Sequence, residues 1–125
     1  MYEITVHKTF SAAHTLDIGG EREQLHGHNF RVEATVASEE LNADGLVLDF
    51  RVLKEWLGSI LEGLDHTFLN DLEPFKDTGP TAERMARFIH DRLEKNANPM
   101  GLTVSRVTVW ESEGSKATYT RGHGG

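Results

Sequence analysis

The sequence predicts an α+β fold: a four-stranded antiparallel sheet with two helices on one face, in the order β-β-α-α-β-β. Three observations carry that prediction. Apolar and polar residues alternate in the first third of the chain, two stretches at three-four spacing follow, and a hairpin signal lies near the end. At 125 residues the chain has room for one core, so 1–125 is read as a single domain.

Tyr2, Ile4 and Val6 alternate with Glu3, Thr5 and His7, which predicts a strand from Tyr2 to about Ala12, with His14 ending the run. Asp17-Ile18-Gly19-Gly20 reads as a loop by its glycines. A second strand follows from His28 to Val36, and Asn42-Ala43-Asp44-Gly45 is a turn. Phe50, Leu53, Leu57, Ile60, Leu61 and Leu64 then recur at helical spacing, with charge at Arg51, Lys54, Glu55 and Glu62. Asp49 is placed to cap this helix, and Gly63 to end it. Ala82, Met85, Ala86, Ile89 and Leu93 mark a second helix, capped by Thr81, with Glu83 and Arg87 spaced for an ion pair. Asn96 to Gly101 breaks it. Leu102–Trp110 and Lys116–Arg121 are the last strands, joined at Glu113-Gly114-Ser115, and 122–125 reads as a frayed tail. Two helices on one face leave the other face and the sheet edges uncovered, which predicts a homo-oligomer whose sheets close into a barrel.

Hydrophobic content of 38% with 26% charged residues fits a soluble globular protein. No apolar run approaches the roughly 20 residues of a membrane helix, and the first residues form a strand pattern rather than a leader. A cytoplasmic location with no membrane partner is the expectation. With no cysteine, disulfides, thiolate ligands and a thiol nucleophile are excluded. The net charge of −7 argues against nucleic acid as a partner.

The chemistry concentrates in histidines: His14 alone, and His26-Gly27-His28 as an H-x-H pair. Residues i and i+2 of a strand share a face, so His26 and His28 can reach one ion, and antiparallel pairing brings His14 alongside. Three histidines leave one position open on zinc for water or substrate. A structural zinc site would need a fourth protein ligand, which the motif does not provide. Asp65-His66 follows the first helix; it is either an oriented acid–base pair or a solvated loop histidine beside a capping aspartate. Glu111 shares strand parity with Val107 and Val109; it either faces water at an edge or accepts two hydrogen bonds from the edge of a pterin or guanine ring. Glu21, Arg22 and Glu23 form a charged loop before the H-x-H, and a carboxylate there could take a proton from a metal-bound substrate. His7 and His90 carry no partner pattern and are read as structural, His7 on a polar strand face and His90 on a helix flank.

Taken in order, Phe10-Ser11-Ala12-Ala13-His14, Leu25-His26-Gly27-His28-Asn29-Phe30, Leu48-Asp49-Phe50, Leu64-Asp65-His66, Pro80-Thr81-Ala82-Glu83 and Trp110-Glu111 resemble the 6-pyruvoyl- and 6-carboxy-tetrahydropterin synthase family. The resemblance spans nearly the whole chain and implies the tunnelling fold, assembled as a homohexamer of two stacked trimers. It implies zinc held by His14, His26 and His28, and 7,8-dihydroneopterin triphosphate as substrate. It further implies Glu111 as anchor of the pterin ring, Thr81 lining the same pocket, and Asp65 with His66 in proton transfer.

One departure stands out. The family's usual cysteine falls four residues ahead of H-G-H in the carboxy type, here Arg22, or six ahead in the pyruvoyl type, here Gly20. Neither can act as a thiolate. The chain is more similar to a cysteine-free branch that uses a loop glutamate and cleaves the side chain to 6-hydroxymethyl-7,8-dihydropterin. Glu23 is the candidate for that glutamate, with Glu21 as fallback. The remaining readings are ordinary pyruvoyl- or carboxy-tetrahydropterin formation, and a pterin-binding protein without catalysis.

Overall fold

The two long alternating stretches pair with each other and form the centre of the sheet. In the computed structural model, which describes residues 1–122, β1 (Tyr2–His14) and β4 (His26–Ser38) run antiparallel from Tyr2 opposite Ser38 to His14 opposite His26. The tail expected over 122–125 lies outside the described residues from 123 onward. β4 pairs in turn with β6 (Thr103–Ser112), and β6 with β7 (Ser115–Tyr119), both antiparallel.

The sheet has five strands rather than the expected four, because β5 (Thr67–Phe68) adds in parallel beside Ala12 and Ala13 of β1. Two residues are too few to show an alternating pattern, so this strand left no trace in the sequence. The glycine loop is likewise more ordered than expected: β2 (Asp17–Ile18) and β3 (Glu21–Arg22) form a small ribbon around Gly19 and Gly20. Both glycines have positive φ, 62° and 84°, which a two-residue hairpin turn of this kind requires.

The helices follow their local signals. α1 (Phe50–Glu62) starts where the Asp49 side chain accepts from the Arg51 N–H, and Gly63 closes it. α2 (Ala82–Ala97) starts where Thr81 Oγ1 accepts from the Arg84 N–H at 3.1 Å. The expected Glu83–Arg87 ion pair is not formed among the described residues; Arg87 instead approaches Asp91, one turn further on. Leu53, Leu57 and Leu61 of α1 and Met85, Ile89 and Leu93 of α2 pack on Val6, Phe10, Phe30, Val32, Val107 and Val109 of the sheet.

Both helices therefore cover one face. The other face carries exposed Thr5, His7, Thr9, Arg31, Arg106 and Thr118. His90 departs from the helix-flank reading: it is fully buried, its Nε2 3.2 Å from the Val104 carbonyl and its ring edge-on to Tyr119. Next to that carbonyl, β4 and β6 shift register and Ser105 is left without a partner. No helix among the described residues is long and apolar enough to cross a membrane.

Candidate metal centre

The antiparallel register that pairs His14 with His26 also sets His28 two residues along the same face, so the three imidazoles meet at one end of the sheet. Their ring centroids are 4.5–5.1 Å apart. Phe30 supports the cluster from the core side, edge-on to both His14 and His28.

Hydrogen bonds behind the rings determine which nitrogen is bare. His14 Nδ1 lies 3.1 Å from the Pro80 carbonyl, and His26 Nδ1 lies 2.8 Å from the Gln24 carbonyl. A carbonyl only accepts, so each Nδ1 carries the hydrogen and each neutral ring presents a lone pair at Nε2. Those two Nε2 atoms are 3.2 Å apart. His28 Nε2 is buried and has no hydrogen-bond partner. Burial holds the His28 imidazole below its ordinary pKa, with His26 and His14 adding to the effect and Glu111 and Glu23 opposing it. A neutral ring is the form that binds a metal.

The motif offered three donors; the structure brings a fourth. Glu111 Oε1 lies 3.0 Å from His14 Nε2 and 3.3 Å from His28 Nε2, and one ligand atom from each of the four residues lies within 4.8 Å of the others. Glu111 sits where the β6–β7 ladder skips from Trp110 to Ser112, a bulge of the kind that re-aims a side chain. The bare nitrogens of His14 and His26 and the Glu111 oxygen face one another as electron-pair donors, an arrangement that a cation at the centre would stabilise. An imidazole-rich set suits zinc, copper, iron or nickel, and does not suit magnesium or calcium.

Glu23 stands beside this cluster. Its backbone N–H donates to Leu16 O at 2.8 Å, and its carbonyl accepts from Thr15 Oγ1 at 2.6 Å. Its Oε1 is buried without a hydrogen-bond partner, whereas Glu21 is exposed. Arg22, at the cysteine position, is turned away and held by Asp17 at 2.7 and 3.2 Å.

Asp65 and His66 are not part of the four-residue cluster. Asp65 Oδ1 accepts from the Ser11 N–H at 2.8 Å, and the His66 N–H donates to Ser11 O at 2.6 Å. These bonds hold His66 at φ 56°, a left-handed conformation that costs a non-glycine residue on the order of 1–2 kcal/mol. The His66 side chain is 82% exposed, 3.5 Å from Asp65 Oδ2, and shares with His28 a hollow of about 570 Å³. Thr81 and Glu111 line a second hollow of about 630 Å³ with Phe68, Phe75, Lys76 and Arg84.

Three supporting groups carried no sequence signal. The carbonyls of Pro80 and Gln24 orient the His14 and His26 rings through atoms that every residue possesses. Asn70 clasps Thr15 in both directions, at 2.9 and 2.8 Å, across 55 positions of sequence.

Comparison with known proteins agrees with this geometry. The family described as 6-pyruvoyl tetrahydropterin synthase matches residues 3–122. A 6-carboxy-5,6,7,8-tetrahydropterin synthase of Aquifex aeolicus is 34% identical, covering 76% of this chain and 73% of that protein. A dihydroneopterin monophosphate aldolase of Pyrococcus furiosus is 37% identical over 82% of this chain and 83% of that protein. Among solved structures, a Caenorhabditis elegans 6-pyruvoyl tetrahydropterin synthase superposes with a TM-score of 0.79, at 28% identity over 97% of both chains. The resemblance noted in the sequence, and the tunnelling fold it implied, hold. The chain belongs to the 6-pyruvoyl tetrahydropterin synthase family.

Proposed function

We propose that the protein is a zinc-dependent lyase that cleaves the side chain of a phosphorylated 7,8-dihydroneopterin, with the triphosphate as first candidate, to release 6-hydroxymethyl-7,8-dihydropterin. The observation that carries this reading is Glu23: a buried carboxylate oxygen without a partner, beside the histidine cluster, in a chain that has no thiol. The aldolase named among the relatives supports the same direction.

When bound, zinc supplies a Lewis acid that eases loss of a proton from the side-chain hydroxyls. Glu23 takes the proton of the second side-chain hydroxyl, whose oxygen becomes a carbonyl as the bond between the first and second side-chain carbons breaks. The electron pair passes to the first carbon and into the ring imine. Returning a proton to that carbon, the task of Asp65 and His66, completes 6-hydroxymethyl-7,8-dihydropterin and leaves a phosphorylated glycolaldehyde. Glu111 and Thr81 hold the ring, and Lys76 and Arg84, which line the same hollow, supply positive charge toward the phosphates.

Incubation with 7,8-dihydroneopterin triphosphate and identification of the pterin product by mass tests the assignment. Recovery of unchanged substrate, with the monophosphate also inert, would overturn it. Glu23→Gln is expected to lower turnover by about 10²–10⁴-fold, the usual share of a general base, without loss of zinc. The second reading, formation of a 6-pyruvoyl- or 6-carboxy-tetrahydropterin, is favoured by the held Asp65–His66 pair and by the carboxy-synthase relatives. The same product assay separates the two. The uncovered polar face and unpaired sheet edges support a homohexamer of two stacked trimers, which mass measurement in solution checks.

A further inference from the structure

We infer that Glu111 alternates between two partners: in the resting protein it closes the metal cluster as fourth donor, and an arriving pterin ring draws it away and opens a position for the side-chain hydroxyls. The inference rests on the histidine cluster being a metal centre and on Glu111 receiving the ring. It does not depend on which product is formed.

The first support is the contact itself. Glu111 Oε1 is 3.0 Å from His14 Nε2, the nitrogen that the Pro80 carbonyl leaves without a hydrogen. A carboxylate oxygen against a neutral imidazole nitrogen that carries no hydrogen is repulsive, and a shared metal ion would turn that contact into an attraction. The second is number: three imidazoles and one carboxylate make the four donors of a closed zinc site, whereas a catalytic site keeps one position free. Departure of one of the four would restore that open position.

Glu111 is the donor built to move. His14 and His26 are tied behind by carbonyls, and the His14 side chain is fully buried, whereas Glu111 is 30% exposed, lies in a skipped ladder position and borders the 630 Å³ hollow. The ring edge of a pterin, with an N–H and an amino group side by side, offers a carboxylate two parallel charge-assisted hydrogen bonds in exchange for the metal. Ring recognition then uncovers the metal only when the correct substrate is present.

Cobalt(II)-substituted protein and unsubstituted pterin, which has no side chain to cleave, give the test. The visible spectrum of the wild type is expected to differ from that of Glu111→Gln, and pterin should convert the wild-type spectrum toward that of the variant. Identical spectra, or a wild-type spectrum that pterin leaves unchanged, would overturn the inference. A second measurement needs no variant: saturating pterin should speed transfer of zinc from the wild-type protein to a chelator by about 10–100-fold, the scale on which groups supporting a metal site act. Unchanged transfer would overturn it equally. Neither measurement turns over substrate, so a failed product assay and a fixed Glu111 are separate results.

Discussion

Two places in this chain gather histidine and carboxylate within ligand distance, and they have opposite chemistry. At one end of the sheet, His14, His26, His28 and Glu111 converge; toward the other end of the strands, where Val104 pairs with Val36, His90, Asp91 and Glu94 do the same. At the second place the cation is already present. Arg121 is bonded to Glu94 and lies 3.4 Å from Asp91, and His90 uses Nε2 to donate to the Val104 carbonyl. At the first place the carbonyls of Pro80 and Gln24 take the Nδ1 hydrogens, the bare nitrogens face inward, and no described lysine or arginine pairs with the cluster. Proximity of donors is thus common to both. His90 even repeats the His14 pattern, with one ring nitrogen at a carbonyl and the other 3.2 Å from Asp91 Oδ1, so what separates the two places is the number of imidazoles and whether an arginine already balances the carboxylates.

The sharpest way to break this contrast is to remove a donor from each place. His26→Ala is expected to abolish metal content and turnover together, read by elemental analysis and the product assay; a variant that retained full zinc would remove His26 from the ligand set. His90→Phe is expected to leave zinc stoichiometry unchanged and to lower stability by about 1–3 kcal/mol, because the buried Val104 carbonyl loses its donor. Denaturant melts of both variants, with metal and without, read the two effects side by side.

Smaller effects sharpen the distinction between residues that serve the site and residues that serve the fold. Thr81 lines the hollow beside Glu111 and also caps α2, so it bears on both. Thr81→Ala is expected to cost roughly 1 kcal/mol in thermal or denaturant unfolding, while Thr81→Ser keeps the cap. A Thr81→Ser protein with ring affinity as weak as Thr81→Ala would show that the methyl group matters to the pocket.

The smallest effect belongs to Asp49, far from either cluster. The Arg51 side chain, and then the Arg51 backbone N–H, hold its carboxyl below the ordinary range. A depressed carboxyl contributes stability that is complete above its unfolded pKa of about 3.9 and is lost as pH falls through the folded value. Asp49→Asn should therefore lower stability slightly at neutral pH and leave it unchanged below the folded pKa, which flattens the acid limb of the stability profile. An unaltered acid limb would mean that the cap acts through its oxygen alone.

Much of the molecule was legible where a signal acts over a few residues. Asp49 and Thr81 cap the helices they were expected to cap, because capping joins atoms two or three residues apart. The H-x-H spacing carried its own geometry, since strand alternation aims i and i+2 alike. Reading Glu111 by parity identified the face it lies on but not its neighbours, because the ladder skip that turns it toward the histidines is a property of strand pairing. His90 was read as structural but placed on a helix flank, because the Val104 carbonyl that it meets belongs to a different element.

The sequence by itself determined the order of the long strands and the two helices, the caps, the histidine spacing and the absence of a thiol, all of which follow from residue type and periodicity along the chain. Only the tertiary structure decided which nitrogens of His14 and His26 are bare, that Glu111 joins them and that one carboxylate oxygen of Glu23 is buried. The physical reason is that these depend on hydrogen bonds and packing between distant positions: His14 and Pro80 are 66 residues apart in the chain and 3.1 Å apart in the fold.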